Sequence, residues 1–213
     1  MLIETVILAL FVSLISGGKM SRLGELVLRE SWLVPLALLI QSGVYWAAVR
    51  GIGLGPSWVS PVLDTGSYFL LLIFTFRNRS LPGVRWISLG ILLNTLVIGL
   101  NGGVMPVDPS FLPEASRNAL LAGQGTHGLM TSSTQLSFLA DRFYLDIPGL
   151  QKQVFSVGDI VLDIGCFLLV YKTMLRSELV QLKLNIEASD GDSTPPEVYE
   201  ESTPTSRSGG LEK

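Results

Sequence analysis

Five long apolar stretches, at residues 1–18, 31–49, 58–76, 86–103 and 154–171, occupy most of this 213-residue chain. Each is close to the ~20 residues that carry a helix through about 30 Å of hydrocarbon. In lipid the backbone must satisfy its own hydrogen bonds, which leaves helices or a closed barrel. The stretches lack the apolar–polar alternation of barrel strands, so helices are expected. Charge points the same way. Only 15% of the residues are charged and the mean hydropathy is +0.47, whereas soluble domains carry roughly 25% charge. The expected fold is all-α: a polytopic membrane bundle of about five transmembrane helices within residues 1–176.

The first stretch reads as a retained helix rather than a cleaved leader. It has Glu4 and no basic residue at its start, and no small-residue cleavage site follows Gly17, Gly18 and Lys19. Cys166 is the single cysteine and lies inside the last stretch, so no internal disulfide is possible.

Basic residues fall in alternate gaps. Lys19, Arg22 and Arg29 follow the first stretch, Arg77, Arg79 and Arg85 the third, and Lys172, Arg176, Lys183, Arg207 and Lys213 the fifth. Five crossings put all three segments on one side. They hold eleven of the fifteen basic residues, leaving Arg50, Arg117, Arg142 and Lys152 for the other. The positive-inside rule then predicts an N-terminus outside and a C-terminus on the cytosolic side. Trp32, Trp58 and Trp86 each begin a helix and Trp46 lies near an end, the headgroup positions that indole favours.

Two segments flank the bundle. Over 177–186, Leu179, Leu182 and Ile186 recur at helical spacing beside Lys183, which predicts an amphipathic extension on the anionic leaflet. Residues 187–213 are acidic and rich in Ser, Thr, Pro and Gly, too poor in apolar groups to offset chain entropy, and are expected to be disordered. The sequence pI of about 5.2 therefore describes the tail.

The outer loop, 104–153, is long enough to be functional. A helix is predicted between Ser110 and Gly123, and a second over Leu136, Leu139, Ala140 and Phe143. The glycine-rich stretch 123–128 between them reads as a flexible turn.

Polar residues inside the membrane are costly and by default suggest a site. Asp64 lies near the outer end of the third stretch, Asp159 and Asp163 in the outer part of the fifth, and Asn94 and Asn101 seven apart on the fourth. They are expected to converge beneath the loop that holds His127 and Asp141. Structural readings compete with this. Ser156 and Asp159 match a capping box, and Ser60 with Pro61 reads as another helix start that would explain Asp64. Asparagines often join helices, and Gly99 with Gly103 forms a small-xxx-small pair. Asp163 is too deep for a cap. No catalytic residue is assigned, and with one histidine and no outer cysteine no metal site or cofactor is expected.

The run Asn101-Gly102-Gly103-Val104-Met105-Pro106-Val107, then His127, then 134–141, then Ser156-Val157-Gly158-Asp159, resembles a family of small bacterial multi-pass membrane proteins catalogued as a domain of unknown function. The resemblance covers about 1–176. It implies an integral protein of a bacterial cytoplasmic membrane, multi-pass, and supplies no activity. In relatives the variable position of the run, here Val104, is expected to be basic.

No phosphate-binding loop, nucleophile elbow, dinucleotide fingerprint or zinc-protease motif occurs, and nucleic-acid binding is not indicated. The partners expected are the bilayer and a membrane protein or a second copy of the chain. Three functions compete. The favoured one is a non-enzymatic interaction or regulatory membrane component. The alternatives are a small transporter or channel subunit using the aspartates, and an intramembrane enzyme acting at the outer face.

Overall fold

The computed structural model describes residues 1–123, 125–146, 152–176 and 186. Each apolar stretch forms a helix: α1 (Leu2–Ile15), α3 (Leu33–Val49), α4 (Val59–Arg77), α5 (Val84–Leu100) and α7 (Val157–Leu175). A short turn, α2 (Ser21–Gly24), links the first two. Among the described residues, α4 alone combines the length and hydropathy needed to cross a membrane. Helices α1, α3 and α5 have 14, 17 and 17 residues, while α7 has 19 but carries Asp159, Asp163 and Lys172. The extension expected over 177–186, apart from Ile186, and the tail over 187–213 lie outside the described residues.

The long helices pack in the order α3, α4, α5, α7, α1. At one end Lys19 N donates to Met174 O at 3.0 Å, and at the other the Met1 amino group donates to Gln153. Helices α1 and α7 therefore run parallel. The three basic segments meet at the first of these ends. Arg22 donates to Met174 O at 2.8 Å, Asn78 exchanges two hydrogen bonds with the Arg29 backbone, and Arg77 pairs with Glu30 at 3.3 Å.

Helices α5 and α7 touch backbone to backbone. A Cβ on Gly90 would lie 2.5 Å from the Gly158 carbonyl oxygen, and one on Gly165 would lie 2.5 Å from Ile87 N and 2.8 Å from Gly83 O. Glycines seven residues apart on two antiparallel helices thus interlock. Such close approach suits dispersion and interhelical hydrogen bonding where water-driven association is weak. The pair Gly99 and Gly103 does not behave as expected. Gly99 faces open space, and Gly103, at φ +83°, abuts Pro61 instead of a second helix.

Opposite the basic end the chain builds a cap, where the mostly helical fold carries short strands that the all-α expectation did not include. The Met105–Val107 run forms a strand, β1, paired in parallel with β2 (His127–Leu129). On its other edge Val107 bridges to Asp141, with Asp141 N donating to Pro106 O at 3.0 Å. A second pair, β3 (Phe143–Leu145) and β4 (Gln153–Phe155), is antiparallel. The first expected loop helix is present as α6 (Glu114–Leu121), and Gly123 just beyond it takes φ +73°. The second is absent. Leu136 turns left-handed at φ 49°, a single 3-10 turn covers Ser137–Leu139, and the chain then extends. Asp141 has given its backbone groups to the edge of β1, which a helix through 136–143 would forbid. Nor is 123–128 simply a flexible turn, because His127 and Gly128 are strand residues. Val97, Ile98, Met105 and Ala140, with Tyr68 against them, form the core that joins cap to bundle.

Candidate functional site

Ser156 opens α7 and shapes the first group. Its hydroxyl accepts from Asp159 N at 3.0 Å, and Asp159 Oδ2 accepts from Ser156 N at 2.9 Å, completing the expected capping box. Asn94 on α5 closes the ring by donating to Asp159 Oδ1 at 2.8 Å and accepting from Ser156 Oγ at 2.9 Å. Both carboxylate oxygens of Asp159 are satisfied. Its negative end also meets the positive end of the helix dipole.

Asp163 does not join that group. Its Oδ2 accepts from Thr5 Oγ1 on α1 at 2.8 Å, so two acids one turn apart serve opposite neighbours. Asn101, at the end of α5, pairs both ways with the Gln135 backbone: Nδ2 donates to Gln135 O at 3.0 Å and Oδ1 accepts from Gln135 N at 2.9 Å. It pins the cap and contributes nothing to an acidic centre.

The β1 strand holds His127 and Asp141 on its two flanks. His127 Nε2 lies 3.6 Å from Asp141 Oδ2, with the imidazole half exposed and the carboxyl buried. That separation exceeds a hydrogen bond. Asp141 Oδ1 is buried without a partner among the described residues. Burial, and secondarily the charge of Asp159, push the Asp141 carboxyl up to about 7. Beneath the cap, Tyr68 stands within electrostatic reach of Asp64, Asp159 and Asp141. Sequence spacing held no hint of Tyr68, because it looks like one more aromatic in an apolar helix.

Asp64 is the group the expected cap fails to explain. Helix α4 begins at Val59 with Trp58 at its N-cap and no side-chain cap. Ser60 therefore caps nothing, and Asp64 sits beyond the first turn. It is 5% exposed and lines a cavity of about 310 Å³ between α3, α4 and the cap. Val104 lines the same cavity. The seven candidate residues share no single hydrogen-bonded network: Asn94 joins Asp159, Asp163 meets α1, Asn101 holds the cap, His127 faces Asp141 and Asp64 lines a cavity, while Asp159 still acts electrostatically on His127 and Asp141. No cluster of three or more potential metal-ligating side chains occurs among the described residues.

The model of a family of unknown function (DUF5317) matches residues 25–171. The chain belongs to this family. The match spans the run from Asn101 to Val107 and the start of α7, and it agrees with the expectation of a family without assigned activity. It leaves out α1. An uncharacterized protein of Thermotoga maritima is 27% identical over 168 residues, covering 79% of this chain and 89% of that protein. No solved structure matches.

Proposed function

We propose that this is an integral membrane protein that crosses the bilayer five times, with the basic end cytosolic and the cap outside, and that it acts as a binding or interaction component rather than an enzyme. One observation carries the reading. The buried residues of α4 are Asp64, Ser67 and Thr75, while Val62, Phe69, Ile73 and Phe76 are 50–62% exposed. A helix in water buries the opposite set. Helix α1 repeats the inversion, with Ser13 buried and Ile3, Ile7 and Phe11 turned out.

The five helices have 14 to 19 residues, at or below the short end for spanning, which local thinning of the bilayer and residues flanking the helices accommodate. Trp32 and Trp86 flank the basic end, Trp46 and Trp58 the cap end, and all four are exposed. This is the placement expected of interfacial belts. Against catalysis, Asp159 and Asp163 are held by structural hydrogen bonds. The described part of the cap, by contrast, is a surface of two strand pairs and a short helix standing on the bundle.

The test is alkaline carbonate washing of native membranes, followed by photo-crosslinking from position Ser133 on the cap. Retention in the pellet and a discrete adduct with another protein or a second copy are expected. Release into the supernatant contradicts membrane integration, and a lone uncrosslinked monomer contradicts the interaction role.

A further inference from the structure

The cavity at the cap end of α4 has an unusual wall. Val44, Ala48 and Ile52 supply an apolar side, and glycine backbone supplies much of the rest. Ser60 and Thr126 contribute hydroxyls and Asp64 the one charged side chain among the described lining residues. Asp64 is only 5% exposed, yet among the described residues its carboxyl meets no hydrogen-bond donor and no cation. Its helical neighbour Ser67 bonds to the Asp64 backbone oxygen, at 2.6 Å, and leaves the carboxyl alone. Arg50, the residue that ends α3 beside the cavity, is held over the Trp46 ring at 4.4 Å.

A carboxylate buried without a partner is costly, and a bound cation is the group that relieves the cost. We propose that this cavity is a binding site for a small organic ammonium, with Asp64 as counter-ion, Ser60 and Thr126 as hydrogen-bond acceptors, and the α3 side chains against the carbon part of the ligand. One carboxylate beside an apolar wall does not suit calcium or magnesium, which take six or more oxygens, and no group of three metal-ligating side chains occurs among the described residues. About 310 Å³ is the lower end for ligand pockets, sized for a compact molecule or a headgroup. The proposal deepens the binding role above and rests on it. An ammonium at the cap end has two sources, a dissolved amine or an aminophospholipid headgroup.

Thermal unfolding of the full-length protein in detergent, with butylammonium chloride against sodium chloride and against 1-butanol, reads the site directly. A saturable rise in Tm with the ammonium and none with the alcohol is expected. Asp64→Asn should weaken apparent affinity by about thirtyfold or more. Ala48→Phe, which fills the cavity and spares the carboxyl, should abolish the response. Nanodiscs of phosphatidylethanolamine against phosphatidylglycerol separate the sources: stabilisation confined to the former assigns the headgroup, and stabilisation by the free amine assigns a dissolved ligand. Either supports the site. No ammonium dependence in any setting overturns it, as does an undiminished response in folded Asp64→Asn. If that variant does not fold, Ala48→Phe decides, and unchanged binding there is fatal. Because the assay needs no topology, its failure is distinct from release by carbonate.

Discussion

Asp159 and Asp163 are one helical turn apart, and their different surroundings show how little a residue type says without its neighbours. Asp159 is held by Asn94 and the Ser156 backbone, Asp163 by Thr5. Asp141 is the contrasting case: buried, 3.6 Å from an imidazole, with one oxygen unpartnered among the described residues. Its folded pKa of about 7 lies above the usual value for aspartate, near 3.9 in unfolded chains. Between those values the folded state binds more protons than the unfolded state. Its contribution is therefore fully present below about pH 4 and is lost as pH rises through 7. Every tenfold difference in proton affinity between the two states corresponds to about 1.4 kcal/mol. Thermal unfolding of the detergent-solubilised protein should show Tm falling from pH 5 to pH 8, with the slope flattened in Asp141→Asn. An unchanged slope in that variant would place the titration elsewhere.

At the scale of elements, the contact between α5 and α7 governs the bundle. Gly90 and Gly158 leave no room for a side chain, whereas Gly99 faces open space. Gly90→Leu should separate the helices, pull Asn94 from Asp159 and cost several kcal/mol, as overpacking with a broken buried network does. Gly99→Leu should cost less than about 1 kcal/mol. Urea unfolding in mixed micelles compares the two, and equal losses would rule out the interlocked contact. The spacing of seven between Gly83 and Gly90, and again between Gly158 and Gly165, was visible in the chain. What hid its meaning was the pairing, since only the antiparallel register of α5 against α7 brings the two sets together. Asp159 was legible because a capping box is local. The competing reading of Asp64 as part of a helix start failed because Ser60 and Pro61 mimic a start that the chain makes two residues earlier. The cap was misread because its strands are three residues long and owe their existence to long-range partners: β1 needs His127 and Asp141, which follow it by about twenty residues or more.

At the scale of the molecule, all five long helices expose large apolar side chains, and four of them, α1, α4, α5 and α7, keep Ser13, Asp64, Ser67, Thr75, Asn94 and Asp163 inside. Water as the surrounding solvent would penalise that arrangement, and hydrocarbon favours it. The basic segments share one end through Arg22, Arg29 and Arg77, so the sided charge behind the proposed orientation is a property of the fold and not of sequence order alone. The most direct test is site-directed labelling in a Cys166→Ser background. Cysteine is placed at Ser133 on the cap or at Ser80 between α4 and α5, and spheroplasts are treated with a membrane-impermeant maleimide. Position 133 should react in intact spheroplasts and position 80 only after permeabilisation. Equal labelling of both positions in intact spheroplasts, or labelling of position 80 alone, would contradict the account.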